Sequence, residues 1–349
     1  MPILLALIAL LLAAAAPARA QPPAESAASV LMYHRFGEDA LPSTNIRLAQ
    51  LEEHIAVLTS GAYTVLPLPE VVAALRDRRP LPPRTVAITV DDAYASFVTE
   101  GWPRFRKAGL PVTWFVNTEV VDKGFGGAPT WDDIRRLRDE GVTIGAHSHA
   151  HPSMPAQTAE AREADMDRSL AAFQRELGER PTLFAYPYGE ASGEVMDLVA
   201  RKGFSVAFGQ HSGVAWAGDD RWYLPRFALN ERYGVPDRFR RVIDAVPLRA
   251  EAVTPADPTL GTDNNPPVFG FTVTEPDLAL DGLNCYGPDG EIKPVLDGAH
   301  VEVRLPKALP AGRTRVNCTL PGPRGADGAL HWHWRGTLFL VLPKGAAKG

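Results

Sequence analysis

Two β-branched runs in this chain end in side chains that bind divalent cations. Residues 85–90 (Thr-Val-Ala-Ile-Thr-Val) read as a buried strand that runs straight into Asp91 and Asp92. Adjacent carboxylates repel unless a cation or a shared proton relieves them. Residues 142–146 read as a second strand and open onto His147-Ser148-His149-Ala150-His151-Pro152. An Asp-Asp pair alone is usually a solvated turn. One strand ending in acids and another in histidines is the composition of a divalent metal site. Histidines at i and i+4 of a helical turn project from the same side, so His147 and His151 can reach one ion while His149 points away. Two imidazoles and one carboxylate leave coordination positions open, as a catalytic zinc site needs. A carboxylate cannot readily be both ligand and free base, so Asp91 beside Asp92 suits deprotonation of a metal-activated water.

The elements that must position these groups follow a strand–helix rhythm. Val30-Leu31-Met32-Tyr33-His34 reads as a short buried strand ending in a histidine. Leu48, Leu51, Ile55 and Leu58 mark an amphipathic helix on which His54 reads as a surface or boundary residue. A helix over 68–78 stops at Pro80, Pro82 and Pro83. Helices follow at 96–108, 131–140, 159–177, 193–203 and 236–245, alternating with strands at 111–116, 142–146, 181–185, 204–208 and 223–229. Repeated β–α units imply a parallel sheet, as a barrel or doubly wound. Asp91, Asp92, Asn117, His147, His151, Tyr186–Gly189, Gln210 and His211 all fall just beyond strand C-termini. Convergence of many strand ends on one rim favours a barrel, whereas a doubly wound sheet would gather them at one crevice. The expected fold is α/β: a distorted β/α barrel with fewer than eight regular strands over 29–250, followed by a small all-β sandwich-like domain.

Residues 251–267, rich in Pro, Thr, Asp and Asn, read as a linker. Period-two runs at 268–274, 301–305, 313–320 and 337–342 then mark the sandwich-like domain, 268–349. It holds the only two cysteines, Cys285 and Cys318, which an oxidising compartment would let pair; two separate buried thiols are the alternative. His331-Trp332-His333-Trp334 reads as a half-buried strand rather than a sugar-stacking surface, because alternation is what such a strand shows. At the other end, an apolar run over 3–16 and Ala18-Arg19-Ala20 before Gln21 resemble a signal peptide, 1–20, cleaved after Ala20, although its start lacks Lys or Arg. The run is short for a span of about 20 residues, so membrane association is expected only if the leader stays uncleaved. The expectation is export, to the periplasm or the medium. Charged residues make up 22%, net charge is −5 and no basic block stands out, which argues against a nucleic-acid partner.

Taken together, residues 29–246 resemble the polysaccharide deacetylases, carbohydrate esterase family 4. Thr89-Val90-Asp91-Asp92 resembles the family's T-F-D-D motif, which implies Asp91 as catalytic base and Asp92 as metal ligand. His147-Ser148-x-x-His151-Pro152 resembles its H-[ST]-x-x-H-P motif, with both histidines on the metal. Tyr186-Pro187-Tyr188-Gly189 resembles the third motif, which lines the cleft and offers a backbone N–H to the oxyanion. Many members place an Arg before that Pro to orient the base; this chain has Ala185-Tyr186 there, and Arg226 of Leu224-Pro225-Arg226 is the substitute. The L-x-x-x-H motif that carries the general acid is absent from its usual place after the last strand. The 30–34 stretch is similar to it, which puts His34 in that role and matches the circularly permuted branch containing poly-N-acetylglucosamine deacetylases. His211 competes for the same role. The resemblance implies a divalent metal, zinc before cobalt or nickel, and a secreted deacetylase acting on an N-acetylated glycan. An O-acetyl esterase on a glycan such as xylan is the alternative, as is a non-catalytic carbohydrate-binding protein, against which the intact Asp91, Asp92, His147 and His151 argue.

Overall fold

A computed structural model describes residues 26–324, 328 and 330–343; the leader read over 1–20 lies outside them. Six strands run in parallel in the order β1 (Ala27–Tyr33), β2 (Thr85–Asp91), β3 (Val112–Val116), β4 (Thr143–Ala146), β5 (Leu183–Ala185) and β6 (Val206–Phe208). A seventh, β7 (Phe227–Ala228), pairs in parallel with β1, and a bridge from Phe208 to Leu224 joins β6 to the approach of β7. The sheet therefore curls towards closure as a distorted barrel of these seven strands, with the two-residue strands Thr64–Val65 (parallel to β2) and Ala215–Trp216 (antiparallel to β1) added beside them. Every residue of β2 is buried, which explains its unbroken apolar character: a parallel strand packed on both faces has no water side to signal.

Helix Ala159–Leu177 matches its reading, capped by the Thr158 hydroxyl at one end and left-handed Gly178 at the other. The helix expected at 96–108 is broken into a π-type turn, Phe97–Gly101, and a helix, Trp102–Lys107. Gly101 sits so close to the Phe36 and Phe97 rings that a Cβ would come within 2.9 Å of both. His54 is a correction. It is 1% exposed, with Nδ1 accepting from the Tyr33 hydroxyl (2.9 Å) and Nε2 donating to the Gly234 carbonyl (2.8 Å). Burial lowers its pKa to about 4, so it is a neutral polar strut between the first strand and the segment after β7.

Beyond the barrel, two sheets face each other over a core that includes Phe269, Phe271, Val301, Val316 and Phe339. Residues 251–267 are not free chain. Ala250–Thr254 pairs with Val268–Val273, and Thr259–Leu260 pairs with Leu330–Val341, so this stretch supplies strands to both sheets. Pro255, Pro258, Pro266 and Pro267 cut it into pieces too short to show a period. The His331–Trp334 run lies in a half-buried strand, as read, and its side chains reach the barrel. His331 Nδ1 donates to the Asp244 carbonyl (2.9 Å), His333 Nδ1 to that of Pro247 (3.1 Å), and Trp334 packs its edge on Phe227 of β7. It seams the two domains together. Among the described residues no helix is long and apolar enough to cross a membrane.

Cys285 and Cys318 lie directly opposite in neighbouring strands and are bonded. The bridge closes a separation of 33 residues, for which loop entropy gives about 3–4 kcal/mol. Replacing both cysteines by Ser should lower the denaturation midpoint accordingly. An unchanged midpoint, with no crosslinked peptide in a non-reduced digest, would mean that the thiols are free in the native protein.

Candidate active site

The metal-type ligands converge. Asp92 Oδ1 lies 3.2 Å from His151 Nε2 and 3.6 Å from His147 Nε2, and the two nitrogens are 3.2 Å apart. Ligands about 2.0–2.1 Å from a tetrahedral ion stand roughly 3.3 Å from one another, so the three atoms fit one divalent cation. The tautomer fits as well. His147 Nδ1 donates to the Ala185 carbonyl at the end of β5 (2.6 Å), leaving the Nε2 lone pair for the cluster. Burial, only partly offset by Asp91 and Asp92, lowers the His147 pKa to about 4 and keeps the ring in its ligating, neutral form.

The histidines do not sit on a helical turn. They flank a loop in which Ser148 (φ 64°) and His151 (φ 55°) are both left-handed, and this bend, not i,i+4 helical spacing, brings the rings together. The loop is tied down by the His151 N–H donating to Ser148 Oγ (3.0 Å) and by Ser169 Oγ donating to the Ser148 carbonyl (3.1 Å). Buried Asp165 accepts from the His149 and Ala150 N–H groups, both at 2.9 Å. His149 turns away onto the Thr118 hydroxyl. Asp92 is itself left-handed (φ 69°). Its carbonyl accepts from Trp114 Nε1 (2.6 Å), and the next N–H donates to Asn117 Oδ1 (2.9 Å). Asp165 and Trp114 escaped the sequence reading because an Asp in a helix and a Trp in a strand carry no local mark of whose backbone they hold.

Asp91 is fully buried and gripped through both oxygens by Arg226, at 2.6 and 2.7 Å. Arg226, equally buried, also donates to Thr89 Oγ1 and the Gly209 carbonyl. Burial alone would raise the Asp91 pKa. The Arg226 charge overrides it, helped by His147 and His34, and holds the carboxyl at about 2. His34 is half-buried and leaves β1 one residue beyond the Tyr33–Val90 pair, at the rim position beside Asp91.

His211 stands elsewhere. Its ring lies tilted against Tyr223 (4.4 Å between centroids) and lines a cavity of about 330 Å³ between barrel and sandwich. Burial and three arginines lower its pKa to about 3. Of the third motif, Tyr186 points its ring into the core, where the hydroxyl donates to the Trp222 carbonyl, so its side chain is not a cleft wall as expected. Pro187 and Gly189 are buried too. Gly189 (φ 70°) is tight against the neighbouring loop, a Cβ there meeting Gln210 at 2.5 Å. Only Tyr188 stands out, its ring edge-on to His151 at 4.5 Å.

Residues 78–207 match the profile of the polysaccharide deacetylase family. The chain is 23% identical over 230 residues to the poly-β-1,6-N-acetyl-D-glucosamine N-deacetylase of Escherichia coli K12, a match covering 53% of this chain and 34% of that protein. It thus spans about a third of the length of that relative. Its fold is similar to the Streptococcus pyogenes deacetylase PplD, solved with acetate (TM-score 0.58, 20% identity, 63% of this chain and 99% of that one). It is also similar to IcaB from Ammonifex degensii (TM-score 0.53, 24% identity, 62% and 95%).

Proposed function

We propose that this protein, whose residues 78–207 match the polysaccharide deacetylase family, hydrolyses N-acetyl groups on an amino-sugar glycan in a metal-dependent reaction. A β-1,6-linked N-acetylglucosamine polymer is the substrate class that the E. coli relative's name favours. The observation that carries the proposal is a buried, Arg-clamped carboxylate, Asp91, immediately beside the Asp92–His147–His151 cluster. Sugar binding alone has no use for a free base next to a metal site.

Asp92, His147 and His151 would hold the ion, zinc or in its place cobalt or nickel, which supplies Lewis acidity towards water and the acetyl carbonyl. The chain's own groups then divide the proton work. Asp91, kept anionic and aimed by Arg226, takes a proton from the attacking water as its oxygen bonds to the acetyl carbon. His34 donates a proton to the sugar nitrogen as the C–N bond breaks, so acetate and a free amine leave. An ester's leaving alkoxide needs that donor less, so a histidine beside Asp91 is of most use in amide hydrolysis. Export to the periplasm or medium belongs to the same proposal, supported by the leader-like residues 1–20 and by the Cys285–Cys318 bond.

Replacing His147 or His151 by Ala is expected to remove bound metal, read by elemental analysis, and acetate release with it, while the circular dichroism of the barrel persists. Full metal occupancy in both variants would overturn the site.

A further inference from the structure

The N-terminal end of the long sandwich strand Gly312–Arg324 reaches the barrel's rim loops through its side chains. Arg313 and Arg315, two residues apart and so on one face of the strand, both donate to rim-loop carbonyls. Arg313 Nη1 donates to Tyr188 O (3.1 Å), and Arg315 Nε to Gln210 O (3.2 Å). Arg313 does more than brace backbone. Its guanidinium lies over the Tyr188 ring, 5.3 Å from the centroid, and its Nε pairs with Glu190 Oε1 at 3.5 Å. Glu190 in turn accepts from Ser153 Oγ, two residues beyond His151. One short chain of contact therefore runs from Arg313 through the Tyr188 ring to His151, and a second runs through Glu190 to Ser153 in the loop that carries His151.

These contacts fall on a ring that the barrel's core does not bury. Tyr188 is 39% exposed and left-handed (φ 59°), so it is neither buried in the core nor in a relaxed backbone conformation. His151, also left-handed, is the most exposed of the three ligands. An aromatic wall against its ring restricts the imidazole to orientations in which Nε2 faces Asp92 and His147. We propose that Arg313 is a positioning residue for the proposed deacetylase: the sandwich domain, through this arginine, holds Tyr188 against His151 and so sets the orientation of one metal ligand. The inference rests on the functional reading above. On this account the second domain is part of the catalytic unit and not a detachable sugar-binding appendage, in keeping with the His331–Trp334 seam.

The test uses the full chain loaded with Co²⁺, whose visible spectrum reports ligand geometry, together with steady-state acetate release from a β-1,6-linked N-acetylglucosamine oligomer. Arg313→Ala should lower kcat about 10-fold to 100-fold, the scale of an ångström-level misplacement, with KM little changed and the cobalt band shifted. Arg313→Lys keeps a cation over the ring but loses the forked geometry and should recover part of both. An Arg313→Ala chain with unchanged kcat, or with an unchanged cobalt spectrum, overturns the proposal, even if its melting temperature falls. A rise confined to KM overturns it too, since that would make Arg313 a substrate contact. Wild-type chain that takes up no cobalt and releases no acetate counts against the deacetylase reading itself.

Discussion

Asp91→Asn should reduce acetate release by about 10²–10⁴-fold, the usual contribution of a positioned general base, while the metal stays bound. Asn keeps the size and one acceptor oxygen of Asp but cannot accept the proton from water. The substitution also strips Arg226 of its countercharge in a site where both side chains are fully buried. Breaking a buried pair from one side typically costs about 3–5 kcal/mol, so rates and metal content must be compared at a temperature where the variant remains folded. Asp92→Ala should behave oppositely, losing metal first and activity as a consequence. Equal metal loss in both variants would mean that the two carboxylates have exchanged roles.

The second large effect concerns the proton donor. A departing sugar nitrogen must gain a proton, because an amide anion is too poor a leaving group, and a placed imidazole typically contributes about 10²–10⁴-fold to such a step. His34→Ala should lose that factor on an N-acetyl substrate and much less on an activated ester, whose leaving group needs no proton. His211→Ala should be far milder, since that ring faces the inter-domain cavity against Tyr223. Burial and nearby arginines also hold it neutral to well below pH 7. Both variants should retain metal. A nearly wild-type His34→Ala beside a dead His211→Ala would transfer the role to His211.

Much of this was legible in the chain because buried parallel strands write themselves as β-branched runs and their C-terminal ends gather chemistry on one rim. The pair Asp91-Asp92 and the two histidines stood out for that reason, and the barrel with fewer than eight strands followed from counting such runs. What escaped depends on tertiary context. The left-handed bend at Ser148 and His151 is stabilised by Asp165 and Ser169 from a distant helix, so the local sequence suggests a helical turn instead. His54 lies on an ordinary amphipathic pattern and is buried only because Tyr33 and Gly234 arrive to satisfy both its nitrogens. Residues 251–267 look like linker because strands of two to five residues between prolines show no period. Arg226 was legible as the residue that orients the base only through the family resemblance, because its bidentate grip on Asp91 needs the barrel to bring β7's approach beside β2's end.

The central claim is that the Asp92–His147–His151 cluster holds an ion that N-deacetylation requires. The most direct measurement is acetate release from the full chain, stripped of metal by chelation and then reloaded with zinc, on matched N-acetylated and O-acetylated glycans. The account predicts no acetate from the stripped protein, recovery with about one equivalent of zinc, and one new free amine for each acetate released from the N-acetylated glycan. Full activity in the stripped protein, or acetate from the O-acetylated glycan alone, would contradict it.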